Sequence, residues 1–208
     1  MAQHLKVVMA QLDLIVGDID SNTELLLSSA RRAIAEFEAD LIAFPELTLT
    51  GYPPEDLLLR PSLQPRISNA IDQILAADLN IYLVFGHPLK EGDSLFNALS
   101  IIKGGKLLAT YRKQCLPNYL VFDERRYFDA GSEPLVMEIA GSNIAFNICE
   151  DMWESAPIEL VKSRCADLLI NINASPFSIN KLSERQRLLK QQSIKTKKVL
   201  CYTYETLL

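Results

Sequence analysis

The sequence predicts an α/β fold in which two mixed sheets are covered by helices, forming a layered sandwich. Strand and helix patterns alternate from residue 5 to residue 86, as they do where helices join parallel strands. Two turns that contain glycine, Gly104-Gly105 and Gly141-Ser142, separate apolar segments and predict antiparallel hairpins. A further strand–helix–strand pattern covers residues 143–172. Parallel and antiparallel pairs in one chain are typical of mixed sheets.

The first half of the chain supplies the alternating elements. Residues 5–11 are a strand candidate, and Ser21 and Glu24 then match a capping box that predicts a helix over residues 22–37. Its apolar positions recur at three- and four-residue spacing, which predicts one buried stripe, made of Leu26, Ala30, Ala33 and Phe37. Three more elements follow in the same alternation: a strand at 41–44, a helix at 66–77 and a strand at 80–86.

The second half supplies hairpins and one more helix-linked unit. Pro157 suits an early helical position, and Ile158, Val161 and Cys165 share one face of the helix it begins, so Cys165 is assigned to the core. Ser183 can cap a last helix that runs to about residue 198. The remaining segments are strand candidates: 95–103, 106–112, 135–140, 143–148, 167–172 and the apolar VLCYTY near the end.

Composition excludes several classes of protein. The net charge is −5 and the basic residues are scattered, which argues against a nucleic-acid partner. No window approaches the ~20 apolar residues of a membrane span, and the apolar start lacks the marks of a leader, so a cytoplasmic protein is expected. Four cysteines show no CxxC spacing, and both histidines are distant from them, which disfavours a zinc site and predicts reduced thiols.

Three reactive side chains are predicted at three strand ends. Glu46 follows Pro45, which ends an apolar strand because proline cannot donate to a sheet ladder. Lys113 follows a strand that ends near Arg112, and Cys149 follows the apolar run NIAFNI. Ligand sites of α/β folds are commonly found at such strand ends.

These three residue types suffice for amide hydrolysis. The reaction needs a nucleophile, a group that moves its proton and a positive group for the developing oxyanion. An ammonium near Cys149 is expected to favour the thiolate, and a carboxylate can accept the proton. Each residue also has an ordinary interpretation, because Glu46 and Lys113 can be solvated and Cys149 can be a small core residue. The residue types alone leave both interpretations open.

Four ordered segments carry a family resemblance: FPELTLTGYPPEDLL, YRKQCLPNYLVFDERRYF, NICEDMW and NASPFSINK. They resemble the signature segments of the nitrilase (carbon–nitrogen hydrolase) superfamily, in the form found in glutamine-dependent NAD synthetases. The resemblance implies a nitrilase-like α-β-β-α sandwich. It further implies Glu46 as general base, Lys113 as stabiliser of the oxyanion and Cys149 as nucleophile.

The same resemblance implies a substrate site. The implied reaction is hydrolysis of the L-glutamine side-chain amide through a Cys149 thioester, which gives glutamate and ammonia. Tyr119, Ser175 and Lys181 are the implied contacts to glutamine, and Glu124 is the implied carboxylate beside the catalytic lysine. Ordinary alternatives are wall packing for Tyr119, a turn for Ser175 and solvation for Lys181. Two other functions stay open: a stand-alone amidase acting on another small amide, which YPPEDLL and VFDERRYF argue against, and an inactive interaction domain.

The resemblance also implies missing partners. Residues 1–208 are expected to form one glutamine amidase domain that is incomplete at its C-terminal end, because the family continues through further strands and an ATP-using domain. The chain contains no SGG-type loop and no GxxxxGK[ST]. No cofactor is therefore expected in this chain; ATP, Mg and deamido-NAD are assigned to the absent synthetase domain or subunit. A homo-oligomer is expected, and an uncovered edge at VLCYTY is expected to favour association.

Overall fold

The structure is a computed structural model that describes residues 4–119, 122–175, 181–196 and 199–204. Helices and strands alternate in the first and last thirds of these residues, and hairpins occupy the middle. In chain order the elements are β1 (Val7–Met9), α1 (Ile19–Phe37), β2 (Leu41–Ala43), α2 (Leu63–Ala76), β3 (Tyr82–Glu91), β4 (Ser94–Lys103), β5 (Lys106–Arg112), β6 (Leu135–Ile139), β7 (Ser142–Ile148), α3 (Ser155–Ser163), β8 (Leu168–Asn173), α4 (Lys181–Thr196) and β9 (Val199–Tyr204).

Both sheets are mixed, as predicted. The first sheet has the order β1-β2-β3-β4-β5, in which β1, β2 and β3 are parallel and β3, β4 and β5 are antiparallel. The second sheet has the order β6-β7-β8-β9, with an antiparallel β6–β7 hairpin followed by parallel neighbours. Each sheet thus combines a hairpin with the helix-linked strands of the same half of the chain.

Three apolar clusters separate four layers. One cluster joins α1 and α2 to the first sheet, a second lies between the two sheets, and a third joins α3 to the second sheet. Strand alternation produces this arrangement, since successive side chains of a strand point to opposite faces. In β7, for example, Ile144 and Phe146 belong to the cluster between the sheets while Ala145 faces the helices. The α-β-β-α sandwich is confirmed.

The first helix begins earlier than predicted. It starts at Ile19, and the side chain of Asp18 accepts a hydrogen bond from the backbone N–H of Ser21, so the predicted capping box at Ser21 and Glu24 is wrong. Aspartate is an equally good N-cap residue. Gly17 has a positive φ and ends the preceding turn, so Asp18 is already in position to cap the helix. Phe37, predicted to be buried, is 55% exposed because it is the last residue of the helix.

Three other boundaries differ. The β6–β7 turn is Ala140-Gly141, one residue before the predicted turn, and both residues have positive φ. The third helix ends at Ser163, and Cys165 follows it at φ 55° and is exposed, so its assignment to the core is wrong. The last helix starts at Lys181, two residues before the predicted cap, and its predicted end at 198 lies outside the described residues.

One hairpin was not predicted. Strands β3 and β4 pair over their whole length, from Leu83 opposite Ile102 to Glu91 opposite Ser94. Gly92 supplies the positive φ of the turn. Among the described residues, no helix is long and apolar enough to cross a bilayer.

Candidate active site

Glu46 lies just beyond the end of β2 and is completely buried. Its Oε1 accepts hydrogen bonds from Asn97 Nδ2 at 2.8 Å and from Lys113 Nζ at 2.7 Å. Its Oε2 accepts from the backbone N–H of Ala174 at 3.1 Å, which comes directly after β8 of the second sheet. Donors from both sheets therefore hold this carboxylate in one orientation.

Lys113 follows β5 and is also completely buried. Its Nζ donates to Glu46 Oε1 and, at 2.8 Å, to Glu124 Oε1. Burial lowers the pKa of Lys113, but the adjacent carboxylates of Glu124 and Glu46 outweigh it and raise the pKa well above its ordinary value. The side chain is consequently a permanent ammonium, as required of a group that stabilises an oxyanion.

Glu124 lies in a short helical turn, Glu124–Arg126, and is buried. Its Oε1 accepts from the hydroxyl of Tyr52 at 3.1 Å as well as from Lys113. Burial raises the pKa of Glu124 to about 7, although Lys113 opposes the shift. The position beside the lysine agrees with what the resemblance implied. Tyr52 carries no signal in the sequence that sets it apart from other tyrosines.

Cys149 is the first residue after β7 and opens a tight turn, Cys149–Met152. The backbone of Cys149 has φ 44°, which is unusual for a residue other than glycine. Residues with such values cluster at functional sites. The Sγ atom lies 3.6 Å from Ser175 Oγ. Burial and the charge of Glu46 raise the pKa of Cys149 well above its ordinary value, against the influence of Lys113.

Lys113 favours the thiolate of Cys149, as expected, but burial and the nearby carboxylates outweigh its influence. Lys113 is shared by two carboxylates, so its positive charge is already compensated before the thiol is considered. Burial and the charge of Glu46 together keep the thiol mainly protonated. The arrangement can still form a thiolate transiently, if the proton passes to a carboxylate as the sulfur attacks. Glu46 is the carboxylate whose charge raises the thiol pKa most.

Gly86 allows the loop of Glu46 to pack on β3. A Cβ at Gly86 would lie 2.2 Å from the backbone N of Leu47 and less than 3.0 Å from backbone atoms of Glu46. Backbone atoms cannot yield as a flexible side chain does, so any larger residue must push the Glu46 loop away from the sheet.

Replacing Gly86 by alanine is expected to lower stability by about 1–3 kcal/mol and turnover by about tenfold or more, because the general base is displaced. Thermal unfolding and ammonia release measure the two effects. Gly92→Ala is the control, since it strains a turn with positive φ but has no neighbour within 4 Å. Equal turnover in both variants contradicts the role given to Gly86.

An asparagine chain runs beneath the nucleophile. Asn171 Nδ2 donates to Asn147 Oδ1 at 2.7 Å and reaches the carbonyl oxygen of Cys149 at 3.4 Å. Asn173 Nδ2 donates to Asn171 Oδ1, and Ser175 Oγ donates to Asn173 Oδ1 at 3.3 Å. Ser175 is therefore buried next to the thiol as the end of a polar chain. The alternation in LLININ predicts that Asn171 and Asn173 lie on one strand face. It does not predict the hydrogen bonds that join them to each other and to Ser175.

The other implied substrate contacts are placed differently. Tyr119 is 47% exposed, and its hydroxyl donates to Glu150 Oε1 at 2.9 Å. Both line a cavity of about 760 Å³ together with Cys115. Lys181 begins α4, but its side chain lies outside what the structure describes. Sequence reasoning did not single out Glu150, although its place directly after the nucleophile was a usable signal.

Comparisons with known proteins show the family of this chain. The carbon–nitrogen hydrolase family model matches residues 6–194. The glutamine-dependent NAD(+) synthetase of Xanthomonas campestris pv. campestris is 40% identical over 203 residues, which is 97% of this chain and 37% of that protein. The chain therefore spans little more than a third of the length of this curated relative.

Two solved structures are similar. The glutamine-dependent NAD+ synthetase of Acinetobacter baumannii, in complex with ADP, has a TM-score of 0.94 at 36% identity, covering 97% of this chain and 38% of that chain. An amidase from Nesterenkonia sp. has a TM-score of 0.87 at 22% identity, covering 98% and 76%; this likeness concerns the fold alone. By the family match and the identity to its relatives, the chain belongs to the carbon–nitrogen hydrolase family.

Proposed function

We propose that this chain hydrolyses the side-chain amide of L-glutamine through a covalent thioester on Cys149. One observation carries the proposal: a buried ammonium, Lys113, is held between two carboxylates close enough to influence the charge of a buried thiol at a strand end. A structural ion pair has no need of a neutral nucleophile next to it. Covalent amide hydrolysis needs a nucleophile, a proton acceptor and a fixed positive charge.

In the first half of the reaction, Cys149 Sγ attacks the amide carbon. The thiol proton passes to Glu46, and the ammonium of Lys113 stabilises the oxyanion that forms on the former carbonyl oxygen. Glu46 then gives the proton to the nitrogen, the carbon–nitrogen bond breaks and ammonia leaves. The thioester remains on the enzyme. Glu124 keeps Lys113 charged and in place throughout.

In the second half, water replaces ammonia. Glu46 accepts a proton from the water as its oxygen attacks the thioester carbon, and Lys113 stabilises the second oxyanion. The carbon–sulfur bond then breaks, the sulfur regains a proton and glutamate is released. Glutamine and water have become glutamate and ammonia, and the enzyme has returned to its starting state.

The choice of glutamine rests on the relatives, which are glutamine-dependent enzymes by name. The α-carboxylate and α-ammonium groups of glutamine require cationic, anionic and hydroxyl partners. We assign these contacts to Tyr119, Ser175 and Lys181. The cavity lined by Tyr119 and Glu150 offers both a hydroxyl and a carboxylate near the turn that carries the nucleophile.

The ammonia is proposed to serve ATP-dependent amidation of deamido-NAD to NAD. That step, with its ATP and Mg, belongs to a synthetase domain or subunit rather than to residues 1–208, which form the glutamine amidase domain. The relatives extend well beyond the matched third of their length, which leaves room for such a domain. An oligomer that brings amidase and synthetase units together is the proposed working form.

A labelling experiment combined with a substrate panel tests the proposal. The chain is treated with a diazo-ketone analogue of glutamine and mapped by peptide mass spectrometry, and ammonia release is measured with glutamine, asparagine and propionamide. Label on Cys149 and release from glutamine alone are expected, both lost in Cys149→Ala. Label mainly on Cys115 or Cys165 contradicts the assignment of the nucleophile. Faster release from propionamide indicates an amidase for another small amide.

A further inference from the structure

Asp151 lies two residues after the nucleophile, is completely buried and takes no part in the proposed reaction. Its Oδ1 accepts hydrogen bonds from the backbone N–H groups of Gln114 at 3.1 Å and Cys115 at 2.7 Å. These are the two residues that follow Lys113. One oxygen of Asp151 therefore fixes the backbone on which the catalytic ammonium is carried.

The other oxygen fixes the nucleophile. Asp151 Oδ2 accepts from the backbone N–H of Ile148 at 3.1 Å, the residue directly before Cys149. The same oxygen accepts from the hydroxyl of Tyr111 at 2.8 Å, two residues before Lys113. Four donors surround this carboxylate, three from the lysine segment and one from the cysteine segment.

The two segments belong to different sheets. Lys113 follows β5 of the first sheet and Cys149 follows β7 of the second, and sheet hydrogen bonds do not join these strands. Contacts other than sheet hydrogen bonds, including those of Asp151, therefore set the distance between the two strand ends. Burial raises the pKa of Asp151 to about 6, against its donors, so the carboxylate is the main form above that pH. A charged acceptor binds backbone N–H groups about twice as strongly as a neutral one.

We infer that Asp151 is a positioning residue that fixes Lys113 relative to Cys149 by binding the backbone on both sides of the site. This inference rests on the proposed function of the two residues. A shift near 1 Å between a nucleophile and its stabilising charge can cost about a hundredfold in rate. An asparagine at this position presents an amide N–H₂ to donors, so one of the two pairs of hydrogen bonds must be lost.

The test compares Asp151→Asn with Asp40→Asn. Asp40 also accepts a backbone N–H, from Lys6, but lies directly before β2, at the opposite end of that strand from Glu46. In Asp151→Asn, kcat for glutamine hydrolysis is expected to fall about a hundredfold while KM changes little. Asp40→Asn is expected to leave both constants unchanged. A change in KM alone, with kcat unchanged, overturns the inference.

Alkylation supplies a readout that does not depend on glutamine. Iodoacetamide labels Cys149 and the exposed Cys165, and the ratio of the two rates is measured by peptide mapping at a temperature where each variant is folded. The Cys149 rate divided by the Cys165 rate is expected to fall about tenfold in Asp151→Asn, because the thiol of Cys149 loses its alignment with its proton acceptor. A wild-type ratio in the folded variant overturns the inference. If the wild-type chain hydrolyses no glutamine, the proposed function fails, but this ratio still tests Asp151.

Tyr111→Phe keeps the experiment decisive if Asp151→Asn does not fold. It removes one of the four donors and leaves the carboxylate and the three backbone contacts. The alkylation ratio and kcat are expected to fall together by about tenfold, the lower end for the loss of one hydrogen bond to a charged group. Unchanged values of both overturn the inference.

Discussion

Replacing Lys113 by alanine is expected to lower kcat by at least about 10³-fold. The substitution removes the positive charge from a completely buried position, where charge stabilisation is large. It also leaves Glu46 and Glu124 buried without the ammonium that both contact. Breaking such a buried pair costs about 3–5 kcal/mol of stability. Steady-state ammonia release and chemical denaturation measure the two losses separately.

A second substitution separates catalysis from stability. Lys113→Ala combined with Glu124→Gln removes one of the two uncompensated charges, so part of the lost stability is expected to return. Turnover is expected to stay at the level of the single variant, since the oxyanion still has no cation. Recovery of turnover along with stability would show that Lys113 acts only as a structural ion-pair partner.

Glu46→Gln is expected to lower kcat by about 10²-fold or more while glutamine is still bound. The amide is nearly isosteric and keeps an oxygen for the N–H of Ala174, but it cannot accept a proton. Because the thiol of Cys149 is protonated at rest, formation of the thioester should slow as much as its hydrolysis. Rapid-quench measurement of the thioester checks this. Near-normal thioester formation would assign the proton to another group, with Glu124 the first candidate.

The sequence predicts the positions of the three central residues because strand ends are visible in it. Apolar runs that stop at Pro45, Arg112 and Ile148 place Glu46, Lys113 and Cys149 where the structure has them. The two mixed sheets follow from the order of helix-linked and hairpin-linked strands. Both kinds of prediction depend on local patterns, which a single sequence contains.

What depends on packing between distant segments was not predictable from local patterns. Lys113 contacts carboxylates 67 and 11 residues away in sequence, and the contact with Glu124 was implied only by the family resemblance. The burial that keeps the thiol of Cys149 neutral was not predicted. The contact of Asn97 with Glu46 spans 51 residues. The predicted helix cap is wrong for a local reason. Asp18 and Ser21 are both suitable N-cap residues, and the preceding turn decides between them.

The separation of the chain into two sheets divides the residues of the site between two parts of the sequence. The strands of the first sheet all precede residue 113, and those of the second all follow residue 134. Glu46, Lys113 and Glu124 all precede the second sheet in sequence, but Ala174 and the turn of Cys149, which complete the site, belong to it or follow its strands. Complete burial of these charges therefore requires both parts of the chain. Neither sheet contains a complete active site, because the ammonium follows a strand of the first sheet and the nucleophile follows a strand of the second.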